Sequence, residues 1–132
     1  MPPFHLALPV HDLEQARDFY GTLLGCKEGR SAERWIDYDF FGHQLSVHLV
    51  DEREDIATNA VDGDAVPARH FGVVLPWSEW ETLHSRFDRF RIAPKIRFKG
   101  EVGEQGTFFV DDPSGNALEF KTFRHIDQLF AT

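Results

Sequence analysis

Three residues of the types that bind metal ions stand on segments that we predict to be β-strands: His5, His70 and Glu119. Two imidazoles and one carboxylate hold a divalent ion and leave positions open for other ligands, an arrangement that suits Fe(II). Zn²⁺, Mn²⁺ and Ni²⁺ are compatible with the same ligand types. The three residues are far apart in the sequence, so their spacing alone indicates little. The alternative is that both histidines are hydrogen-bonded strand residues and that the glutamate is a solvated carboxylate.

The elements that must position these residues occur twice along the chain, in the order strand–helix–strand–strand–strand. The first set has a strand at "FHLALPV", a helix with Asp12 as its N-cap, and a hairpin around Gly42. An acidic segment without sustained periodicity follows, and we predict a linker there. The pattern then restarts, with a second helix capped by Ser78. The predicted division of this single domain is a first module at residues 4–50, a linker at 51–67, a second module at 68–123 and a tail at 124–132.

Alternation along the strands predicts which way the candidate ligands point, because side chains two residues apart share a face. His5 and His70 each stand two residues before a small residue, on the face opposite to the bulky apolar residues of their strands. Glu119 alternates with Leu118 and Phe120, and so also points away from the apolar face. If the two modules lie side by side, these less filled faces line one shared cleft in which the three candidate ligands converge.

The composition argues against several kinds of partner. With 22 Asp and Glu against 14 Lys and Arg, the net charge is −8, which would repel the phosphate backbone of a nucleic acid. No apolar run approaches the roughly 20 residues needed to cross a bilayer, and the start of the chain lacks the basic segment of a secretory signal. Cys26 is the one cysteine, so no intrachain disulfide can form. We therefore predict a cytoplasmic protein whose Cys26 is structural.

Two stretches carry a likeness to a known family: "HLALPVHDLEQARDFYGTLLG" in the first half and "FFVDDPSGNALEFK" in the second. With both in this order, residues 4–123 resemble the vicinal oxygen chelate superfamily, which includes glyoxalase I, the bleomycin- and fosfomycin-resistance proteins and the type I extradiol dioxygenases. The resemblance implies an α+β fold in which two βαβββ modules form an open curled-sheet cup around a divalent metal. It also implies that His5, His70 and Glu119 match the metal-binding positions of the family.

The resemblance also raises the question of a fourth ligand. Glyoxalase I has a further carboxylate or amide ligand on the closing strand of its first module. Aligning the hairpin glycines of the two modules puts Ser46 opposite Glu119, and a serine hydroxyl is a poor ligand. Gln44 or His48 takes that place if the register slips by two residues. Three protein ligands favour the extradiol arrangement, in which we predict that His48 moves protons; the alternative is an exposed strand histidine.

The sequence thus predicts a metal-dependent enzyme that resembles the extradiol dioxygenases, with Fe(II) favoured and a small aromatic or vicinal-oxygen substrate. Tyr38 and Phe109 are predicted to line its pocket, because a cup lined with aromatic rings would suit such a ligand. The alternatives are a glyoxalase-like lyase or isomerase and a metal-free drug-binding protein of the bleomycin-resistance type. Because small members of the superfamily are commonly dimers, the resemblance also implies a homodimer.

Overall fold

A computed structural model describes residues 2–52 and 56–132 of the chain, which divides into two compact units. The first unit holds the described residues up to position 52 together with Asp112–Asn116. The second unit holds Ile56–Asp111 and Ala117–Thr132. The turn that joins the last two strands of the second unit therefore belongs to the first unit.

The first unit is one βαβββ module. Its elements in chain order are β1 (His5–Val10), α1 (Leu13–Ala16) continued by a π-helix (Arg17–Leu23), β2 (Lys27–Ala32), β3 (Trp35–Phe40) and β4 (His43–Leu49). The strands form an open sheet in the order β1-β4-β3-β2. The pair β1 and β4 is parallel, and the other neighbours are antiparallel.

The helical segment of this unit begins where the sequence predicts it. Oδ1 of Asp12 accepts a hydrogen bond from the backbone N of Gln15 at 3.0 Å, which satisfies one of the free N–H groups of the first turn. Phe19 and Tyr20 of the π-helix are buried, and the ring of Tyr20 lies 5.7 Å from that of Tyr38 on β3. The buried residues of the sheet itself include Leu8, Val10, Ile36, Leu45 and Val47. The apolar face of the sheet is thus the face that packs on the helical segment.

The second unit repeats the module and adds a hairpin before it. Its elements are β5 (Thr58–Val61), β6 (Asp64–Pro67), α2 (Trp77–His84), β7 (Ile92–Arg97), β8 (Gln105–Asp111), β9 (Ala117–Phe123) and a short 3₁₀ helix at Ile126–Gln128. The strands β7, β8 and β9 form an antiparallel sheet in that order. The segment 71–75 runs parallel to β9 through bridges between Phe71 and Leu118 and between Val74 and Lys121. The predicted α+β fold of two βαβββ modules is confirmed, with both sheets open.

The second helix differs from the prediction at its start. It begins at Trp77 with Pro76 as its N-cap, one residue before Ser78, so the predicted Ser78 cap is wrong. Trp80 fixes the helix on the sheet, because its ring is buried and Nε1 donates a hydrogen bond to the carbonyl oxygen of Phe120 at 2.9 Å. No helix within residues 2–52 and 56–132 is long and apolar enough to span a membrane.

The segment 51–67, predicted as a linker, contains the hairpin of β5 and β6. Asp62 and Gly63 form its two-residue turn, with φ values of 49° and 83°. Positive φ at both positions is the backbone of a type I′ turn, for which Asp-Gly is a preferred sequence. Periodicity did not indicate the hairpin because each strand has only four residues. The part of the predicted linker at residues 53–55 lies outside the described residues.

Ion pairs and apolar contacts hold the hairpin on the rest of the second unit. Nζ of Lys95 on β7 is 2.7 Å from Oδ2 of Asp64 at the start of β6. Val66 of β6 is buried in one cluster with Ile92 and Phe109 of the sheet. The hairpin therefore covers part of the sheet face that carries Phe109.

Candidate metal centre

His70 precedes the segment that pairs with β9, and a backbone carbonyl fixes its ring. Nδ1 of His70 is 2.9 Å from the carbonyl oxygen of Pro67, the last residue of β6. A carbonyl oxygen only accepts hydrogen bonds, so Nδ1 carries a proton and donates it. The neutral imidazole then has its free lone pair on Nε2. This is the form of histidine that binds a metal, with the other ring nitrogen bonded to an outer acceptor.

Glu119 lies on β9 with its carboxylate largely buried. Its Oε1 is 3.2 Å from Nε2 of His70, and its Oε2 accepts a hydrogen bond from the hydroxyl of Thr107 on β8. The backbone brings the pair together, because the N–H of Glu119 donates to the carbonyl oxygen of Phe71 at 2.8 Å. Gly72 allows this approach: a side-chain carbon at that position would lie 1.6 Å from the carbonyl oxygen of Glu119.

The contact between His70 and Glu119 fits a bound cation. Nε2 and Oε1 both present lone pairs to each other when the imidazole is neutral. Two such atoms 3.2 Å apart attract each other only through a positive charge, either a second proton on the imidazole or a metal ion. The side chain of His70 is 30% exposed and that of Glu119 is 15% exposed. Little water therefore reaches the carboxylate to take the place of a positively charged partner. The two residues thus have the donor types and the orientation of a pair of metal ligands.

His5 shows the same arrangement in the first unit. Its Nδ1 is 2.7 Å from Oε1 of Gln44, its register partner on β4. An amide oxygen only accepts, so Nδ1 donates and Nε2 again keeps the lone pair. The side chain of His5 is exposed. Both predicted histidine ligands therefore present Nε2, one fixed by a backbone carbonyl and the other by a side-chain amide.

The candidates for a fourth ligand and for proton transfer share the polar face of β4. Gln44 is bonded to His5 through its amide oxygen. Ser46 is 6% exposed, and its hydroxyl donates a hydrogen bond to Oδ1 of Asp37 on β3. His48 is exposed on the same strand. Ser46 is therefore a weak candidate for a metal ligand, because its hydroxyl keeps its proton and donates it to the carboxylate of Asp37.

Asp37 is a further candidate, which was not predicted from the sequence. It lies beside Ser46 in the β3–β4 register and lines a depression of about 390 Å³ within the first unit. Asp39, Gln44 and Arg30 line the same depression. The signal for both aspartates was present in "RWIDYDFF", where they alternate with apolar residues.

Tyr38 borders the same depression, although its ring packs in the core, and its predicted role in a substrate pocket stays a prediction. Its register partner on β4 is Leu45, it is 2% exposed, and its ring packs near that of Tyr20. The side chain therefore lies on the apolar face of the sheet, under the helical segment, and not on the polar face with Gln44. The physical reason is the strand period of two, which groups Tyr38 with Ile36.

Phe109 lies on the face that carries Glu119, its register partner on β9. Its ring meets that of His70 edge to face, with centroids 5.0 Å apart. Phe109 is 2% exposed because Val66 and Ile92 pack on it. It therefore forms an apolar wall that holds the imidazole of His70 in place.

Comparison with known proteins identifies the family. Residues 3–120 match the model of the Glyoxalase/Bleomycin resistance protein/Dioxygenase superfamily. The chain belongs to this superfamily. A comparison with curated proteins gives no match.

Solved structures similar to this superfamily member support the same fold. A glyoxalase/bleomycin resistance protein/dioxygenase from Alicyclobacillus acidocaldarius is 38% identical, with a TM-score of 0.80 over 97% of this chain and 96% of that chain. The fosfomycin resistance protein FosX from Listeria monocytogenes is 15% identical, with a TM-score of 0.69 over 98% of each chain. Lactoylglutathione lyase from Agrobacterium tumefaciens is 16% identical, with a TM-score of 0.63 over 92% of this chain and 95% of that chain. The last two similarities concern the fold alone.

The structure of this superfamily member brings two of the three predicted ligands into contact. His70 and Glu119 meet in the second unit, whereas His5 belongs to the first. Across the described ranges, 2–52 and 56–132, no group of three or more His, Cys, Asp or Glu side chains comes together as a metal site. The complete ligand set of His5, His70 and Glu119 therefore stays a prediction.

Proposed function

We propose that this protein is a metal-dependent enzyme in which His5, His70 and Glu119 hold one divalent ion. The main support is the orientation of His70: its Nδ1 donates to Pro67 and its Nε2 faces a carboxylate at 3.2 Å. With Nδ1 already donating, a divalent ion between Nε2 and Oε1 would supply the positive charge that this contact needs, in place of a second proton on the imidazole. The second support is His5, whose Nε2 is left with a lone pair in the same way.

We further propose that the reaction is of the extradiol dioxygenase type, with Fe(II) as the metal and a small aromatic or vicinal-oxygen substrate. Bound Fe(II) would supply Lewis-acid and redox chemistry with positions open for substrate oxygens. In this proposal Phe109 holds His70 by ring contact and excludes water from one side of it. His48, exposed on the polar face of β4, gives and takes the protons that the substrate oxygens exchange.

A glyoxalase-like lyase is the second candidate, and Asp37 is the observation that favours it. Such an enzyme needs a further ligand or a base in the first module, and Asp37 places a carboxylate beside Ser46 on the polar face. The metal content of protein purified without oxygen separates the candidates. Iron supports the dioxygenase and nickel or zinc the lyase, whereas no stoichiometric metal supports a metal-free binding protein.

The ligand assignment is tested by a series of variants of the polar faces. Glu119→Ala removes the one anionic ligand and should weaken binding of a divalent ion by more than about a hundredfold in a calorimetric titration. Ser46→Ala is the matched control and should leave the affinity nearly unchanged, since the hydroxyl is already bonded to Asp37. His48→Ala should keep the metal and slow turnover by about a hundredfold.

Two outcomes would contradict this assignment. If Ser46→Ala lost metal as severely as Glu119→Ala, the three-ligand assignment would be wrong and the lyase would be favoured. If none of the variants changed the metal content, the proposed centre would not be the metal site.

We also propose that the chain forms a homodimer. The strand β2 lies at the end of its sheet, and all six of its residues are exposed. A long exposed edge strand is normally covered in a stable protein, and a second copy of the chain would cover it.

A further inference from the structure

We propose that Thr107 is a positioning residue for the metal centre, which fixes the carboxylate of Glu119 so that one defined oxygen faces His70. This inference rests on the proposed function, since it assigns a role toward the metal ligands. Thr107 lies on β8 and is completely buried. Its hydroxyl donates a hydrogen bond to Oε2 of Glu119.

The hydrogen bond has only one possible direction. An ionised carboxylate has no proton to donate, so the single hydroxyl proton of Thr107 must point at Oε2 of Glu119. That bond leaves Oε1 as the oxygen directed at Nε2 of His70. Without it, the terminal torsion of a glutamate is broad and nearly two-fold, and either oxygen could turn away from the histidine.

The bond completes a chain of fixed groups around the proposed ion. Pro67 accepts from Nδ1 of His70, and Thr107 donates to Oε2 of Glu119. The two facing atoms, Nε2 and Oε1, are then the ones available to a cation. Outer partners of this kind typically change metal affinity by about 10- to 100-fold when they are removed.

The register explains why position 107 can do this. On β8 and β9, Phe109 is the direct partner of Glu119, and Thr107 is the direct partner of Lys121. Thr107 is thus the diagonal neighbour of Glu119 on the same face, within reach of a short hydroxyl side chain.

Burial alone does not account for the bond, because the same sheet contains a buried threonine without one. Thr122 on β9 is also completely buried, and its hydroxyl has no hydrogen-bond partner among the described residues. It lies on the opposite face of β9 from Glu119, since the two are three residues apart. Thr122 is therefore a matched control for replacement of a buried threonine.

The test is titration of the purified full chain with Co²⁺ in a calorimeter, for the wild type and three variants. Thr107→Val keeps the shape and loses the donor, so its dissociation constant should rise by about 10- to 100-fold. Thr107→Ser restores the hydroxyl and should stay within about threefold of the wild type, as should Thr122→Val. A Thr107→Val affinity within about twofold of the wild type, or tighter, would overturn the inference. Equal losses in Thr107→Val and Thr122→Val would overturn it too.

A second measurement separates failure of this inference from failure of the proposed function. The ¹⁵N shifts of the His70 ring in the metal-free protein report its contact with Glu119. Thr107→Val should change them, and Thr107→Ser and Thr122→Val should leave them near the wild-type values. If the wild type bound no Co²⁺ but these shifts changed as expected, the proposed metal function would fail while the positioning role would stand. Unchanged shifts in Thr107→Val would refute the positioning role whatever the metal result.

Discussion

The hydroxyl of Tyr20 should stabilise the first unit far more than the hydroxyl of Tyr38, although both are buried and their rings are neighbours. Tyr20 donates to Oδ2 of Asp112 at 2.7 Å, and both partners are almost completely buried. Asp112 also accepts hydrogen bonds from the backbone N–H groups of Ser114 and Asn116 and from the side-chain amide of Asn116. Tyr20→Phe removes one bond of this group and leaves the others in place.

The size of the loss follows from the charge of the acceptor. A hydrogen bond to a charged group contributes about 1.5–3 kcal/mol to stability. Asp112 keeps three other donors, so it is not left unsatisfied, and we expect a loss of about 2 kcal/mol in the free energy of unfolding. For a chain of 132 residues this corresponds to a fall in Tm of about 6–8 °C.

Tyr38→Phe is the matched control for this variant. The Tyr38 hydroxyl is buried and has no hydrogen-bond partner within residues 2–52 and 56–132, and burial raises the pKa of Tyr38 to about 12. Removing a buried hydroxyl without a partner also removes its desolvation cost. We expect Tyr38→Phe to leave the stability unchanged or to raise it by up to about 1 kcal/mol.

Urea unfolding followed by circular dichroism measures both variants against the wild type. If both variants lost the same free energy of unfolding, the hydrogen bond from Tyr20 to Asp112 would contribute no more to stability than the hydroxyl of Tyr38. A loss below about 0.5 kcal/mol in Tyr20→Phe would refute the argument from a charged acceptor.

Two further predictions concern the cysteine and the oligomeric state. Burial, followed by the nearby Asp39 carboxylate, raises the pKa of the Cys26 thiol to about 11. Because the thiolate is the form that reacts, iodoacetamide should label the native protein at pH 8 about a hundredfold more slowly than the urea-unfolded chain. The native rate should rise with pH toward a midpoint near 11; a midpoint below pH 9 would contradict the structure around Cys26. Light scattering at micromolar concentration should give the mass of two chains, and a strictly monomeric mass would contradict the proposed homodimer.

The orientation of residues in the sheets could be predicted well from the sequence. The period of two put His5 and Gln44 on the polar face and grouped Leu118 with Phe120 in the core, and the structure shows the same faces. The cap at Asp12 was also predictable, because it depends on residues three positions apart. The pocket role of Tyr38 stays a prediction, since the residue borders the depression beside Asp37 while its ring packs near that of Tyr20.

The partners that orient the candidate ligands could not be predicted in the same way. Pro67 acts through its carbonyl oxygen, which every residue has, so its identity gives no signal. The bond from Thr107 to Glu119 depends on the register of β8 and β9, which a one-residue shift would change entirely. The hairpin that carries Pro67 did have a signal, Asp62 followed by Gly63, but its strands were too short for a periodicity argument.

The hairpin of β5 and β6 makes the two halves of the repeat unequal as independent fragments. His5 obtains its acceptor from Gln44, inside its own module, whereas His70 obtains its acceptor from Pro67, which precedes the repeated pattern. A shortened chain that started where the pattern restarts, at residue 68, would contain both His70 and Glu119 but not the carbonyl that sets the tautomer of the histidine. Fragments, permuted chains or fusions made to isolate the second half need to begin ahead of β5 to preserve the ring orientation of His70.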